Sequence, residues 1–322
     1  MGPGQLAPAA PPVIRIDPAW DDPVAVRGLI ERRGPFPTVL RFESLGLGNY
    51  GNMPILPWFR ERWAVDGAAH FPEAEPILHN PHFIEASRKV SGAGVVRPQM
   101  VIVNLMGPQP CGAPHVDTPS FRGLPRGETP TLLLVLMGAS GLFRRWSVPI
   151  ASAISWWYDG PAGEFEYWSQ GPSGPVETEA APFGNVAIVG DNDSMFHRVG
   201  AVGQSEDFPP PSAFTESAHL HYQPDGSADV VDAGLVRWHH APGQLRLSIL
   251  WKAHSFADLR AAALYDEHAD DLTPERIVAV FSADLARRGI ALAEPAHPFR
   301  DAAWLRGLVQ AYPLERPADV GV

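Results

Sequence analysis

Short apolar runs dominate the middle of the chain, and helical patterns lie toward its two ends. The runs are bounded by turn-forming residues, and most are rich in branched or aromatic side chains, which favours β-strands. Strands are predicted at 98–106, 130–137, 154–158, 164–168, 185–189 and 245–253. The sequence Asp-Gly-Pro-Ala-Gly at 159–163 predicts a hairpin turn between two of them.

Helix signals flank these predicted strands. Asp22 and Pro23 form an N-cap and first-turn pair, and Gly34 predicts the end of that helix. Near the C-terminus, helices are predicted at 257–268, 273–288 and 300–311. Strands do not alternate regularly with helices, so a parallel sheet is not expected. The predicted fold class is mainly β with flanking helices, as an antiparallel double sheet wrapped by helices.

The same pattern predicts one domain with additions. Residues 1–12 are rich in Pro, Ala and Gly, without a basic start or an apolar core, so we expect a flexible tail and not a signal peptide. Residues 13–322 are expected to form a single domain with its core at about 98–254. The polar, Pro-rich segment 203–243 predicts an insertion between two core strands, or a lid. A C-terminal helical segment is expected at about 255–312.

Composition narrows the function classes. The 322 residues include 25 Lys and Arg against 36 Asp and Glu, a formal net charge of -11, and no basic run occurs. A nucleic-acid partner is therefore not expected. No stretch approaches the roughly 18 apolar residues of a membrane span, so no membrane partner is expected. One cysteine, Cys111, allows neither an intrachain disulfide nor a cysteine-based zinc site, and it fits a reducing, cytoplasmic location.

Three residues have the spacing of a metal site. His115 and Asp117 follow the predicted strand 98–106 and are two positions apart, so in an extended backbone they point to one face. His197 follows the predicted strand 185–189 after a polar turn. Two histidines and one carboxylate on one face of an octahedron leave three positions open, as in non-heme iron(II) oxygenases.

A predicted strand near the end of the core contains a buried cation. Arg246 and Ser248 share one face of the strand 245–253. An arginine inside an apolar strand is costly unless an anion pairs with it. A guanidinium beside a hydroxyl suits a carboxylate, which the guanidinium can bind in bidentate fashion.

The order His-x-Asp, a distant His and then Arg-x-Ser resembles that of the iron(II)/2-oxoglutarate-dependent dioxygenases, over about residues 98–254. The resemblance implies a double-stranded β-helix core, also called a jelly roll and similar to cupins. It implies that His115, Asp117 and His197 hold Fe(II). The carboxylate ligand is retained, which implies an oxygenase and not a halogenating relative.

The resemblance also implies a cosubstrate site. Arg246 and Ser248 would bind the distal carboxylate of 2-oxoglutarate, and Asn104 matches a position that often forms a hydrogen bond with the cosubstrate. The implied reaction uses molecular oxygen to hydroxylate or otherwise oxidise a small organic molecule, with release of succinate and CO2.

Several alternatives stay open on the sequence. Arg246 follows His197 by 49 positions, a much longer interval than in the family. If 203–243 does not return to the core, Arg198 or Arg122 would bind the carboxylate of 2-oxoglutarate in place of Arg246. A cupin-like metal enzyme that does not use 2-oxoglutarate, and a non-catalytic β-sandwich protein with a structural metal, are the alternative functions. Two further histidine pairs, at 219 and 221 and at 239 and 240, are predicted to be solvated loop residues.

Overall fold

Two antiparallel sheets form the centre of the molecule. The computed structural model describes residues 13–38, 58–125, 127–210, 215, 217–314 and 316–317. The tail predicted at 1–12 lies outside these ranges. Seven strands make the large sheet: β1 (Ile14–Ile16), β3 (Trp58–Val65), β4 (Ala68–Ala69), β5 (Val95–Met106), β8 (Ile150–Trp157), β11 (Ala187–Gly190) and β16 (Arg246–Phe256). Their order across the sheet is β1-β11-β8-β16-β5-β3-β4.

The remaining strands form three smaller sheets. The small sheet of the core contains three strands in the order β10-β9-β12: β9 (Phe165–Trp168), β10 (Glu177–Glu179) and β12 (Phe196–Val199). A peripheral sheet contains four: β2 (Phe36–Pro37), β13 (His219–Tyr222), β14 (Ala228–Asp232) and β15 (Leu235–His240). A two-stranded ribbon joins β6 (Ser120–Phe121) to β7 (Ser147–Val148).

The chain passes back and forth between the large and small sheets. After β5 it enters the segment 109–115, which forms isolated antiparallel bridges from Gln109 to Val202 and from His115 to His197. It then returns to the large sheet in β8, crosses to β9 and β10, returns in β11, crosses to β12 and ends in β16. This alternation is the double-stranded β-helix, so the predicted fold class is confirmed.

In the described ranges, seven α-helices flank the sheets: α1 (Pro23–Arg33), α2 (Glu75–Leu78), α3 (Pro81–Ser91), α4 (Thr131–Ser140), α5 (Leu259–Asp266), α6 (Pro274–Arg287) and α7 (Ala302–Ala311). The predicted start of α1 is confirmed, because the side chain of Asp22 accepts a hydrogen bond from the Ala25 amide at 2.9 Å. Within the described ranges, every helix is too short or too polar to cross a membrane.

The large sheet has two chemically different faces. On β16 the odd-numbered residues Leu247, Ile249 and Trp251 join the core under helices α1 to α3, and we call this the outer face. The indole of Trp251 donates a hydrogen bond to the Leu78 carbonyl at 2.6 Å, which ties α2 to the sheet. The even-numbered residues of β16 point the other way, toward the small sheet, and we call this the inner face.

The prediction of a strand at 130–137 is wrong, because residues 131–137 belong to α4 and Pro130 is its N-cap. A run that is apolar on every side fits a buried helix as well as a buried strand. Leucine and methionine dominate the run, and both favour helices. Gly141, with φ 68°, caps the C-terminus of the helix. The buried residues of α4 pack with α6 and α7 in a second hydrophobic core.

The segment 203–243 contains regular structure and is not a purely irregular loop. Its strands β13, β14 and β15 pair with one another, and β13 pairs with β2. Leu220 and Val230 are fully buried in the core of the outer face. The peripheral sheet therefore packs against the outer-face core, and a role of the segment as a lid stays a prediction.

His240 provides a test of this packing through the pH dependence of stability. Its ring is fully buried, neither ring nitrogen has a hydrogen-bond partner, and burial lowers its pKa from 6.5 to about 4. As the pH falls from 6.5 to 4, His240 becomes protonated in the unfolded chain but stays largely neutral in the folded protein. At about 1.4 kcal/mol per pKa unit, His240 should remove about 3 kcal/mol from the free energy of unfolding.

The substitution His240→Leu should remove most of this pH dependence. Urea unfolding at pH 7.5, 5 and 4 measures the difference between the variant and the original protein. His70 gives the control, since it is exposed and is not among the groups that shift the pKa of His240, so His70→Leu should keep the original pH slope. Equal slopes for His240→Leu and the original protein would contradict the burial of a neutral ring.

Candidate metal centre

The two histidines of the predicted site face each other across the small sheet. The amide of His115 donates to the His197 carbonyl at 3.0 Å, and the amide of His197 donates to the His115 carbonyl at 2.9 Å. Such reciprocal bonds join directly opposed residues of an antiparallel pair, whose side chains lie on the same face. The two rings have centroids 4.5 Å apart.

Asp117 completes the group. Its amide donates to the Asn192 carbonyl at 2.7 Å, which fixes it beside the turn that precedes β12. One potential ligand atom from each of His115, Asp117 and His197 lies within 4.8 Å of the others, and Oδ1 of Asp117 is 3.8 Å from Nε2 of His197. Across the described ranges, this is the one cluster of three or more such residues that could hold a metal ion.

Backbone carbonyls select the histidine tautomers. Nδ1 of His115 lies 3.1 Å from the Ala113 carbonyl oxygen, and Nδ1 of His197 lies 3.1 Å from the Met195 carbonyl oxygen. A carbonyl oxygen only accepts hydrogen bonds, so both Nδ1 atoms carry the proton. Each Nε2 is then left with its lone pair, and the rings are held in the orientation that metal-binding histidines need.

The charge states also suit a cation. Burial lowers the pKa of His197 to about 4, with a further contribution from His115, so the imidazole is neutral at neutral pH. Burial alone would raise the pKa of Asp117, but the Lys252 ammonium and the two histidines outweigh it and hold the pKa well below its ordinary value. The site therefore offers a neutral imidazole at His197 and a carboxylate at Asp117, beside the imidazole of His115.

Lys252 is a neighbour of this group that sequence reasoning missed. Its ammonium is 2.7 Å from Oδ2 of Asp117 and 3.2 Å from Oδ1 of Asp193. The signal was present in the sequence, because Lys252 continues the even-numbered face of β16 that begins with Arg246 and Ser248.

Arg246 lies on the inner face with its side chain fully buried. Its Nε donates to the Gly163 carbonyl at 2.7 Å, whereas its Nη2 is buried with no hydrogen-bond partner. In the part of the chain that the structure describes, no carboxylate lies within ion-pair distance of it. Burial lowers its pKa to about 9, which still leaves the guanidinium charged at neutral pH.

Aromatic rings connect the arginine with the metal group. The Phe165 ring lies 5.7 Å from the His197 ring and 5.3 Å from Trp156, measured between centroids. The Arg246 guanidinium carbon is in turn 5.8 Å from the Trp156 ring. The cation on the inner face of the large sheet and the candidate metal ligands of the small sheet thus share one aromatic cluster.

Asn104 and Ser248 occupy opposed positions on β5 and β16. The side-chain oxygen of Asn104 accepts a hydrogen bond from Arg60 Nε at 2.7 Å. Arg60 is a second residue that sequence reasoning missed, because it reaches the inner face only through the pairing of β3 with β5. Burial lowers its pKa, and the charge of Asp117 opposes that shift. Arg60 therefore adds another cation to this face.

Arg198 and Arg122, the alternatives to Arg246 for binding the cosubstrate, have other surroundings. Arg198 forms an ion pair with Glu166, so it already has a carboxylate partner. Arg122 follows β6, and its backbone bonds to Trp146 and Leu272 place it beside the second hydrophobic core.

The other histidine pairs do not join the metal group. They lie on β13 and β15 and not in loops, so that prediction is wrong. Nδ1 of His219 contacts the Ser217 carbonyl oxygen at 2.8 Å, and Nδ1 of His239 contacts Asp229 at 2.8 Å.

Comparisons with known proteins give a similarity in structure alone. No family model matches the chain, and no curated protein is similar to it in sequence. An oxidoreductase of the 2OG-Fe(II) oxygenase family from Burkholderia pseudomallei is 14% identical, with a TM-score of 0.42 over 75% of this chain and 84% of that one.

Two further solved structures are similar to a comparable degree. A prolyl-4-hydroxylase from Pseudomonas putida is 11% identical, with a TM-score of 0.39 over 76% of this chain and 92% of its own. HygX from Streptomyces hygroscopicus, solved with nickel, 2-oxoglutarate and hygromycin B, is 10% identical, with a TM-score of 0.39 over 76% and 84% of the two chains.

Metal binding can be tested directly with Co(II). We expect one equivalent to bind, and a Co(II) concentration 100 times the Kd to raise the free energy of unfolding by about 2.7 kcal/mol. His197→Ala should abolish this gain, because it removes one of three ligands. Isothermal titration and thermal unfolding measure both effects. His221→Ala is the matched control and should bind Co(II) normally; equal loss in both variants would argue against this site.

Proposed function

We propose that the protein is an Fe(II)- and 2-oxoglutarate-dependent oxygenase that oxidises a small organic molecule, with succinate and CO2 as co-products. The observation that carries this proposal is a buried guanidinium without an acidic partner on the inner face of the large sheet, with an aromatic cluster between it and three metal-ligand atoms. Arg246 provides the guanidinium, and His115, Asp117 and His197 provide the ligand atoms.

The donor set fits a reactive metal better than a structural one. Structural zinc sites usually have four protein ligands and no open position. Here the described residues provide two imidazole nitrogens and one carboxylate, which leaves positions for exogenous ligands. Nitrogen and carboxylate ligands together suit Fe(II), whereas calcium and magnesium prefer oxygen ligands alone.

The buried arginine favours a dicarboxylate cosubstrate. A charged guanidinium with an unpartnered Nη2 in an apolar setting costs free energy unless an anion pairs with it. A cosubstrate with one carboxylate near the metal and a second at Arg246 would offset that cost. This argues against a cupin-like enzyme without 2-oxoglutarate and against a purely structural metal, since neither needs the guanidinium.

Each side chain then has a definite role. Arg246 would bind and orient the distal carboxylate of the cosubstrate, with Ser248 beside it on the same strand face. Asn104, held by Arg60, would present a polar group on the adjacent strand. Bound Fe(II), together with 2-oxoglutarate and oxygen, would supply the oxidising chemistry. The aromatic wall near His197 would exclude water from that space.

The metal-to-ligand charge-transfer band tests this assignment. Under anaerobic conditions, the protein with Fe(II) should develop a visible band when 2-oxoglutarate is added, and oxygen should then release succinate. Arg246→Met should raise the Kd for 2-oxoglutarate by at least about 30-fold, since loss of one partner of a buried charged pair costs about 2–5 kcal/mol. The Kd for Fe(II) should change little.

Stability provides a second readout for the same variant. Arg246→Met replaces an unpaired buried charge by an apolar chain of similar length, so the melting temperature without 2-oxoglutarate should rise. Arg198→Met is the control and should leave the affinity for 2-oxoglutarate unchanged. If Arg198→Met weakens that affinity and Arg246→Met does not, the cosubstrate site is misassigned. If no band forms in the original protein, the proposed function is wrong.

A further inference from the structure

The ammonium of Lys252 is buried between two carboxylates at the candidate metal centre. Its side chain is 7% exposed, and it lies 2.7 Å from Oδ2 of Asp117 and 3.2 Å from Oδ1 of Asp193. Buried ion pairs are weak contributors to stability, because the attraction is largely offset by desolvation. A role at the site therefore explains this arrangement better than a contribution to folding.

The two carboxylate oxygens of Asp117 have different neighbours. Oδ1 lies 3.8 Å from Nε2 of His197, on the side where a shared cation would bind. Oδ2 lies 2.7 Å from the ammonium of Lys252. An ion pair at this distance favours binding of a metal through the first oxygen alone, because the ammonium competes with the metal for the second.

The turn before β12 holds both parts of this arrangement. The Asn192 carbonyl accepts the amide hydrogen of Asp117, and the next residue, Asp193, contacts Lys252 through its side chain. The Asp193 amide donates to Oδ1 of Asp191 at 3.0 Å, which stabilises the turn. One turn therefore positions the backbone of Asp117 directly and its side chain through the lysine.

The charges explain why a second carboxylate is present. Without Asp193, the positive charge of Lys252 would act on Asp117 alone and would weaken its attraction for a cation. With Asp193 in contact, the lysine and its anchor together carry no net charge. Asp117 then retains its negative charge for the metal.

We propose that Lys252, anchored by Asp193, is a positioning residue that keeps Asp117 a monodentate metal ligand. The proposal rests on the proposed metal site. With only Oδ1 of Asp117 bound, the two histidines and the aspartate would provide three ligands to an octahedral metal and leave the other positions open. If Oδ2 were free to bind as well, it would occupy a fourth position, which a cosubstrate or oxygen needs.

The number of metal-bound waters tests this role without any measurement of activity. Mn(II) is the probe, and water-proton relaxation counts the exchangeable waters on the protein-bound ion. The original protein should hold about three, and Lys252→Met should hold about two, because Oδ2 displaces one. The relaxation enhancement by bound Mn(II) should therefore fall by about a third. Lys252→Arg keeps the charge and should restore the original value.

A second variant keeps the lysine. Asp193→Asn preserves the size of the anchor but removes its charge, so the ammonium acts fully on the site and the Kd for Mn(II) should rise about tenfold or more. The water number should remain that of the original protein. Arg97→Met, which breaks the distant ion pair with Asp266, is the matched control and should change neither quantity.

The possible outcomes separate the two proposals. If the original protein binds no Mn(II) or Co(II), both the metal site and the role of Lys252 are wrong. If it binds Mn(II) and Lys252→Met has an unchanged relaxation enhancement, only the positioning role is wrong. If Lys252→Met does not fold, Asp193→Asn decides: an unchanged Kd for Mn(II) would overturn the role, and a raised Kd with an unchanged water number would support it.

Discussion

The reciprocal backbone bonds between His115 and His197 are the constraint on which the candidate site depends. The two residues are 82 positions apart in the sequence, yet they are directly opposed across the small sheet. Side chains alternate between the two faces of a strand, so a slip of one residue would turn one histidine away from the other. The pairing of β12 with β9 and the hydrogen bond from Asp117 to the preceding turn both resist that slip.

The two faces of the large sheet differ in charge, and the charged face lies toward the paired histidines. The face contains the cations Arg60, Arg246 and Lys252, whereas the opposite face of the same sheet is an apolar core under three helices. Buried charges rarely improve stability over apolar residues of similar volume. The sheet therefore combines a stabilising outer face with an inner face on which buried cations cluster. Separation of the two roles is possible because strand residues alternate in direction.

Part of the candidate site follows from the local pattern of the sequence. Residue order and the two-residue alternation predict that His115 and Asp117 point to one side, because strand periodicity is a local property. The structure brings both together with His197, and their role as metal ligands stays a prediction. The run 130–137 was mistaken for a strand because it is apolar on all sides, and only packing against other helices decides its conformation. The same alternation places Lys252 on the inner face, but its partners Asp117 and Asp193 lie on distant segments of the chain. No local pattern indicates a contact with Asp193 or the pairing that brings Arg60 to the inner face.

The long interval between His197 and Arg246 does not prevent Arg246 from lying on the inner face, for a physical reason. The position of Arg246 is set by β16, which pairs with β5 along its whole length and with β8 along most of it. These pairings fix the register of the strand whatever the length of the preceding connection. A longer connection costs only a slowly growing loop entropy. Here, part of that cost is offset because β13 and β14 bury Leu220 and Val230 in the outer-face core. Distance along the chain is therefore a poor guide to this arginine, and the register of its strand is a good one.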